Sequence, residues 1–195
     1  MSHSVKILEK ELLSDNWYKL YKYTFEIVGR DGRVHRQVRE AYDRGNGAAI
    51  LLYNLESKTV ILTRQFRLPT FVNGNVDGQM IEACAGLLDD DDAEDCIRRE
   101  TEEETGYRIQ HVQKIYEAYM SPGSVTEILH FFTGEYAPDQ KVNEGGGVAH
   151  EQENIGVLEL SFAEAWKMIE NGEIRDAKTI MLLQYAKLNL FKIKI

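Results

Sequence analysis

The stretch RRETEEETGY, residues 98–107, sets four glutamates into five positions: Glu100, Glu102, Glu103 and Glu104. Like charges three or four residues apart on a helix repel. Gly106 carries the mark of a helix stop, which puts the glutamates in the last turns, where the macrodipole favours cations. The other end of the same segment is acidic in the favourable sense. Asp89, Asp90, Asp91 and Asp92 precede it, and Asp both caps and suits a helix N-terminus. The reading is a helix from about Asp92 to Thr105, with Ala93, Cys96 and Ile97 as its apolar positions. Its C-terminal acidity needs a cause.

On a 3.6-residue period Glu100 and Glu104 are four apart and Glu103 is three from Glu100. These three can share one flank, while Glu102 points elsewhere. Three converging carboxylates form a hard-oxygen site for Mg²⁺ or Mn²⁺, and a divalent cation turns their repulsion into attraction. Such a site completes its shell with water and substrate phosphates, which is a means of holding a diphosphate and activating water against it. Ion pairing accounts for part of the run as well. Arg98 is expected to pair with Glu94 and Glu102, and Arg99 with Asp95 and Glu103.

Outward from this helix, residues 5–13, 17–28 and 34–42 read as strands, the last two joined by an Asp-Gly turn in GRDGR at 29–33. AAILLYN and TVILTRQF follow as apolar strands around a turn at Glu56–Lys58, then a loop at 67–78 and a single strand QMIEACAG ending at Gly86. Further strands are expected near 109–119, 128–135 and 155–160, a long loop at 136–154, and amphipathic helices near 161–171 and 177–191. Phe162, Ala165, Trp166 and Ile169 have the spacing of a buried stripe. The fold class is therefore α/β with a mixed sheet, residues 1–43 forming a small antiparallel sheet and 44–195 the main domain.

The whole chain sets limits on function. At 195 residues it can build one sizeable core. No apolar run approaches the roughly 18 residues of a membrane helix, and the N-terminus lacks the apolar stretch of a signal peptide, so the expectation is a cytoplasmic protein with no membrane partner. The net charge of −9, without a basic block, argues against nucleic acid as a partner. Cys84 and Cys96, without CxxC spacing, read as reduced packing residues.

The motif Gly86, four residues, Asp91, seven residues, Arg99-Glu100, Thr101, Glu102, Glu103-Glu104, Thr105, Gly106, Tyr107 resembles the signature box of the Nudix hydrolases. It differs by one residue fewer after the glycine, Asp91 for a glutamate and Thr101 for a hydrophobe. The resemblance implies an α/β/α sandwich and metal-dependent hydrolysis of a phosphoanhydride. Pro122, sixteen residues beyond Gly106, is similar in spacing to the nucleoside-diphosphosugar branch of that family.

LLSDNWYKL, REAYDRGNGAAILLYN, TRQFRLPTFVNGN, ACAGLLD, GGGV and GEIRDAKT together look like the family's bacterial GDP-mannose pyrophosphatase group. That likeness implies Mg²⁺-dependent cleavage of GDP-mannose to GMP and mannose 1-phosphate by a homodimer whose N-terminal sheets reach each other's sites. It implies metal ligation by the Ala85 carbonyl, Glu100, Glu104 and Glu151. Trp17, Arg39, Glu40, Arg67, Glu127 and Lys178 would contact the nucleotide sugar, with Ala85, Gly86 and Glu104 lining it. Val38 and His150 depart from the group, standing where a basic and an acidic residue are expected. Glu103, Glu127 and Glu151 are the candidates for the base. Two alternatives stay open: an ADP-ribose or other nucleoside-diphosphosugar pyrophosphatase, and a non-catalytic module that binds a nucleotide sugar.

Overall fold

A computed structural model describes residues 5–89, 91–148 and 154–192. The chain divides into two compact units. One holds the residues up to Asn46 together with Tyr119–Ile128, the other Gly47–Ala118 and the residues from Leu129 on.

The first unit is a three-stranded antiparallel sheet of β1 (Val5–Asp15), β2 (Lys19–Val28) and β3 (Val34–Asp43), in that order. Alternating apolar and charged residues suit a pleated ribbon. The β2–β3 turn closes through Gly29 and Arg33, with Gly32 at φ 75°. Residues 119–128 join this unit at Tyr42, whose N–H donates to Ser124 O (2.8 Å) and whose carbonyl accepts from Thr126 N–H (3.0 Å). Among the described residues of this unit only Thr24 is buried, so it has almost no core of its own.

The second unit is built on a mixed seven-stranded sheet. β4 (Gly47–Asn54), β5 (Thr59–Phe66), β8 (Gln113–Tyr119), β9 (Ile128–Glu135) and β10 (Gly156–Ser161) run in the order β10-β5-β4-β9-β8. β4 and β9 are parallel, whereas β5 lies antiparallel to both β4 and β10. Gly47–Leu52 are all buried, the continuous apolar run of a strand covered on both faces. Alternation separates those faces. Ala48, Ile50, Leu52 and Phe132 cluster with Ile97 of α2 (Ala93–Thr105). Phe131, one residue out of phase, stacks on Tyr116, which in turn meets Tyr185 of α4 (Ala177–Tyr185). Helices thus cover both sides of the sheet, with α3 (Phe162–Glu170) packing beside α4.

Several local expectations change. The segment 67–78, expected as loop throughout, opens with a short helix α1 (Leu68–Val72), started by Pro69 in its first turn. QMIEACAG is two strands rather than one: β6 (Gln79–Glu82) pairs with β5 and β7 (Cys84–Leu87) with β4, the change of partner falling at Ala83. The strand expected from 109 begins at Gln113, and Ile109 is instead a buried plug in the connection. The last helix ends in a wider π turn over Ala186–Leu190. Cys84 and Cys96 are buried free thiols. No helix among the described residues is long and apolar enough to cross a membrane.

Candidate active site

α2 begins where the aspartates place it. Asp92 caps it by accepting from Glu94 N–H (2.9 Å), and Gly106 ends it at φ 80°, its N–H donating to Glu102 O (3.0 Å). The acidic end has a backbone answer. Gly146 N–H donates to Glu104 O (2.9 Å) and Gly147 N–H to Glu103 O (3.0 Å), so the glycine loop supplies donors to carbonyls that a helix end leaves unmet. Gly145–Gly147 all have positive φ, and a Cβ on Gly145 would crowd the Glu104 carbonyl. Only a glycine run lets this loop lie against the helix end.

The four glutamates are unequal. Glu104 is 2% exposed, and its charge lies against Cys84, whose thiol is pushed well up by burial and then by Glu104. Glu100 faces the next part of the same strand, close enough that a Cβ on Gly86 would overlap its carboxylate. Glu100 and Glu104 therefore both turn towards Cys84–Gly86, the stretch that includes the Ala85 carbonyl. Glu103 does not join them. Arg99 holds it (3.2 Å) while also pairing with Glu100 (2.9 Å) and Asp91 (3.5 Å). The expected convergence of three carboxylates is thus reduced to two on the strand side, and among the described residues no three His, Cys, Asp or Glu side chains are gathered to hold a metal.

Ion pairing also differs from expectation. Glu102 is paired with Arg108, accepting from Nε (2.8 Å) and Nη2 (2.7 Å), rather than with Arg98. Arg98 pairs with Glu94 as expected, and Asp95, expected on Arg99, pairs with Arg98 (3.1 Å). Gly106 turns the chain back at the helix end, which brings Arg108 within reach of Glu102.

The residues at the C-terminal end of α2 suit a divalent cation. The Glu100 carboxylate lies so close to the strand that residue 86 has no room for a side chain, and Glu104 lies against Cys84 two residues before it. Their donors are hard oxygens, and the neighbouring Cys84 thiol, pushed up as it is, offers no thiolate to draw a softer metal. Glu151, expected as a further ligand, lies outside the described residues, as does His150.

Arg67 and Lys178 converge on a residue that sequence reasoning passed over. Glu82, 3% exposed, accepts from Arg67 Nε (2.9 Å) and Nη2 (3.0 Å) and from Lys178 Nζ (2.5 Å). Burial alone would raise its carboxyl. The charge of Lys178 and the hydrogen bonds of Arg67 outweigh that and hold it at about 2. The available signal was a lone glutamate inside the apolar strand QMIEACAG, because a buried carboxylate needs cationic partners.

In the first unit Trp17 is 83% exposed, with its ring edge on Tyr18. Arg39 and Glu40 are exposed neighbours on β3, and adjacent strand positions put them on opposite faces. Glu127 is mostly buried and pairs with Arg44 (3.6 Å), a partner the sequence did not suggest.

Comparison with known proteins fits this arrangement. Residues 4–42 match the GDP-mannose pyrophosphatase NudK N-terminal domain, and residues 43–183 match the NUDIX domain. A protein called GDP-mannose pyrophosphatase from Yersinia enterocolitica serotype O:8 / biotype 1B is 59% identical, over 97% of this chain and 98% of its own length. One of the same name from Pectobacterium atrosepticum is also 59% identical, covering 95% of both chains. One from Yersinia pestis strain Pestoides F is 56% identical over 98% of this chain and 96% of its own. Among solved structures, an ADP compounds hydrolase superposes with a TM-score of 0.70 at 17% identity, covering 96% of each chain, a likeness of fold. With the glutamate helix closed by Gly106 and a domain match running from residue 43 to 183, the chain belongs to the Nudix hydrolase family.

Proposed function

We propose that this protein is a Mg²⁺-dependent nucleoside-diphosphosugar pyrophosphatase that cleaves GDP-mannose to GMP and mannose 1-phosphate, with Mn²⁺ able to replace Mg²⁺. The observation that carries the reading is the near-full-length identity with proteins of that name, joined to a carboxylate pair turned onto a tight strand. Glu100, Glu104 and the Ala85 carbonyl hold the cation, with Glu151. The metal supplies neutralisation of the diphosphate and a water of lowered pKa.

The chain's own residues do the rest. Gly86, with no side chain, leaves the Glu100 carboxylate its place against the strand and lines the diphosphate with its backbone. Arg67 and Lys178 bind phosphate and sugar oxygens through charge-assisted hydrogen bonds. Trp17 stacks on the base, and Arg39, Glu40 and Glu127 bind the remaining polar groups. Glu103, Glu127 and Glu151 are the carboxylates available to accept the proton from water. Of these, Glu103 is already tethered by Arg99, which favours a base that arrives from a loop.

The same reading assigns residues 1–43 to dimerisation and substrate contact and 44–195 to chemistry, in a cytoplasmic homodimer that engages neither nucleic acid nor membrane. Hydrolysis of GDP-mannose, GDP-glucose, ADP-ribose and ADP-glucose with Mg²⁺, products identified by mass, tests it. GMP and mannose 1-phosphate at the highest kcat/KM are expected. A higher value for ADP-ribose would replace GDP-mannose as substrate, and binding without turnover of any of the four would make the protein a binding module.

A further inference from the structure

Burying a carboxylate is expensive, and a well-packed apolar group in the place of an ion cluster is often as stable or more so. Glu82 is nevertheless buried, at the point where the chain passes from β6 to β7, on the approach to Ala85 and Gly86. We propose that Glu82 is a positioning residue that sets the Arg67 guanidinium and the Lys178 ammonium as a paired clamp for the diphosphate of the substrate. The proposal rests on the reading above that these two cations touch the nucleotide sugar.

The geometry supports orientation over plain neutralisation. Arg67 offers Glu82 one edge of its fork, Nε and Nη2, and among the described residues no partner takes Nη1. Its side chain is 39% exposed, against 4% for Glu82 and 13% for Lys178, so the cluster opens outward through the guanidinium. Lys178 Nζ spends two of its three donors on Glu82 and Asp176 (3.1 Å). The donors left over belong to side chains already fixed in place. An anion that meets them costs little further rotamer freedom.

The backbone that carries the carboxylate is fixed from both sides. Thr63 Oγ1 donates to the Glu82 carbonyl (3.2 Å) within the β5–β6 ladder. The next residue, Ala83, donates its N–H to Thr179 Oγ1 (2.7 Å), and that hydroxyl donates to Asp176 (2.5 Å). Asp176 caps α4 by accepting from Thr179 N–H (3.0 Å) and also holds Lys178. Glu82, Lys178, Asp176, Thr179 and Ala83 thus form a chain of polar contacts closed into a ring by the Glu82–Ala83 peptide bond. It ties the start of α4 to the strand that leads into Ala85 and Gly86.

The test compares Glu82→Gln, Arg67→Lys and the double variant with wild type in steady-state kinetics on the best substrate of the panel. Calorimetry of GDP binding in EDTA gives a readout independent of turnover. Glu82→Gln keeps size but removes the charge that aligns both cations, so KM should rise about tenfold with kcat within about threefold, the mark of lost ground-state binding. GDP affinity should fall by a similar factor. Arg67→Lys, which keeps the charge and loses the fork, should do the same, and the double variant should be no worse than either alone. Should Glu82→Gln fail to fold, Arg67→Lys alone decides through the same KM and GDP readouts. A lowered Tm with unchanged KM and GDP affinity, or losses that simply add, would make Glu82 a structural ion pair and overturn the proposal. Inactivity of wild type on all four sugars would remove the enzymatic reading but leave this one to GDP binding, where no difference between wild type and variants overturns it.

Discussion

At the scale of single residues, the glutamates of α2 are predicted to behave unequally. Glu100→Gln and Glu104→Gln keep size and remove a charged oxygen from the strand-facing pair, so activity should fall by orders of magnitude. A loss of about 4 kcal/mol of transition-state stabilisation is close to a thousandfold in rate. In EDTA both variants should melt no lower than wild type, since a like charge leaves the helix's negative end. Glu102→Gln should be nearly silent, being paired among the described residues only with the exposed Arg108. Glu103→Gln should fall between. Mg²⁺-dependent hydrolysis with melts in EDTA checks all four, and equal losses at Glu102 and Glu104 would return the run to an ordinary charged face. Glu82 carries a separate expectation. Its folded pKa of about 2 lies below the ordinary 4.5, so its stabilisation is complete above pH 4.5 and drains away as pH falls towards 2. Over that window the Tm of wild type should fall more steeply than that of Glu82→Gln, and parallel slopes would show that Glu82 is not the group titrating. The special character of α2 was legible from residue spacing alone, because a helix projects side chains on a fixed period. Which arginine meets which glutamate was not, since Arg108 reaches Glu102 only after Gly106 reverses the chain.

At the scale of elements, Gly106 joins α2 to the loop at 143–147. A Cβ there would overlap the Asn143 carbonyl oxygen, and φ is 80° besides. Gly172 has nearly the same φ of 81° but nothing within 4 Å of an added Cβ. The pair separates backbone strain from collision. Gly172→Ala should cost about 1 kcal/mol, the left-handed penalty alone. Gly106→Ala should cost about 3 kcal/mol or more and displace the glycine loop from the carbonyls of Glu103 and Glu104. Urea unfolding of both variants decides, and equal costs would mean that the loop yields freely. The strands and long helices were readable because one period governs each. The break at Ala83 was not, since QMIEACAG has the composition of a single strand throughout. Only the ladder reveals that Gln79–Glu82 belongs to β5 and Cys84–Leu87 to β4. The helix at Leu68–Val72 was likewise hidden, at five residues too short to show a period.

At the scale of the molecule, the first unit raises the question of what stabilises it. A three-stranded sheet that buries only Thr24 leaves Val5 and Ile7 at 54%, Leu12 at 50% and Val34 at 63% exposure. β1 and β3 are the outer strands in the order β1-β2-β3, and β3 is met by the backbone of residues 124–126 only at Tyr42 among the described residues. A sheet this small gains little from its own packing, and an apolar surface of this kind is the usual mark of a partner. The proposed partner is a second copy related by a twofold, with Trp17 and Arg39 completing the opposite site. Light scattering at micromolar concentration should give a dimer, and Ile7→Glu with Leu12→Glu should give a monomer with a raised KM for the nucleotide sugar. Subunit mixing tests the shared site itself. An Arg39→Ala chain and a Glu100→Gln chain should each be nearly inactive. Mixed and re-equilibrated, half the dimers should be heterodimers, each with one site that draws Arg39 from one copy and Glu100 from the other, restoring about a quarter of wild-type sites. If Arg39 served only its own copy, both sites of every heterodimer would be damaged and mixing would restore nothing. A fully active monomer would remove the dimer from the function altogether.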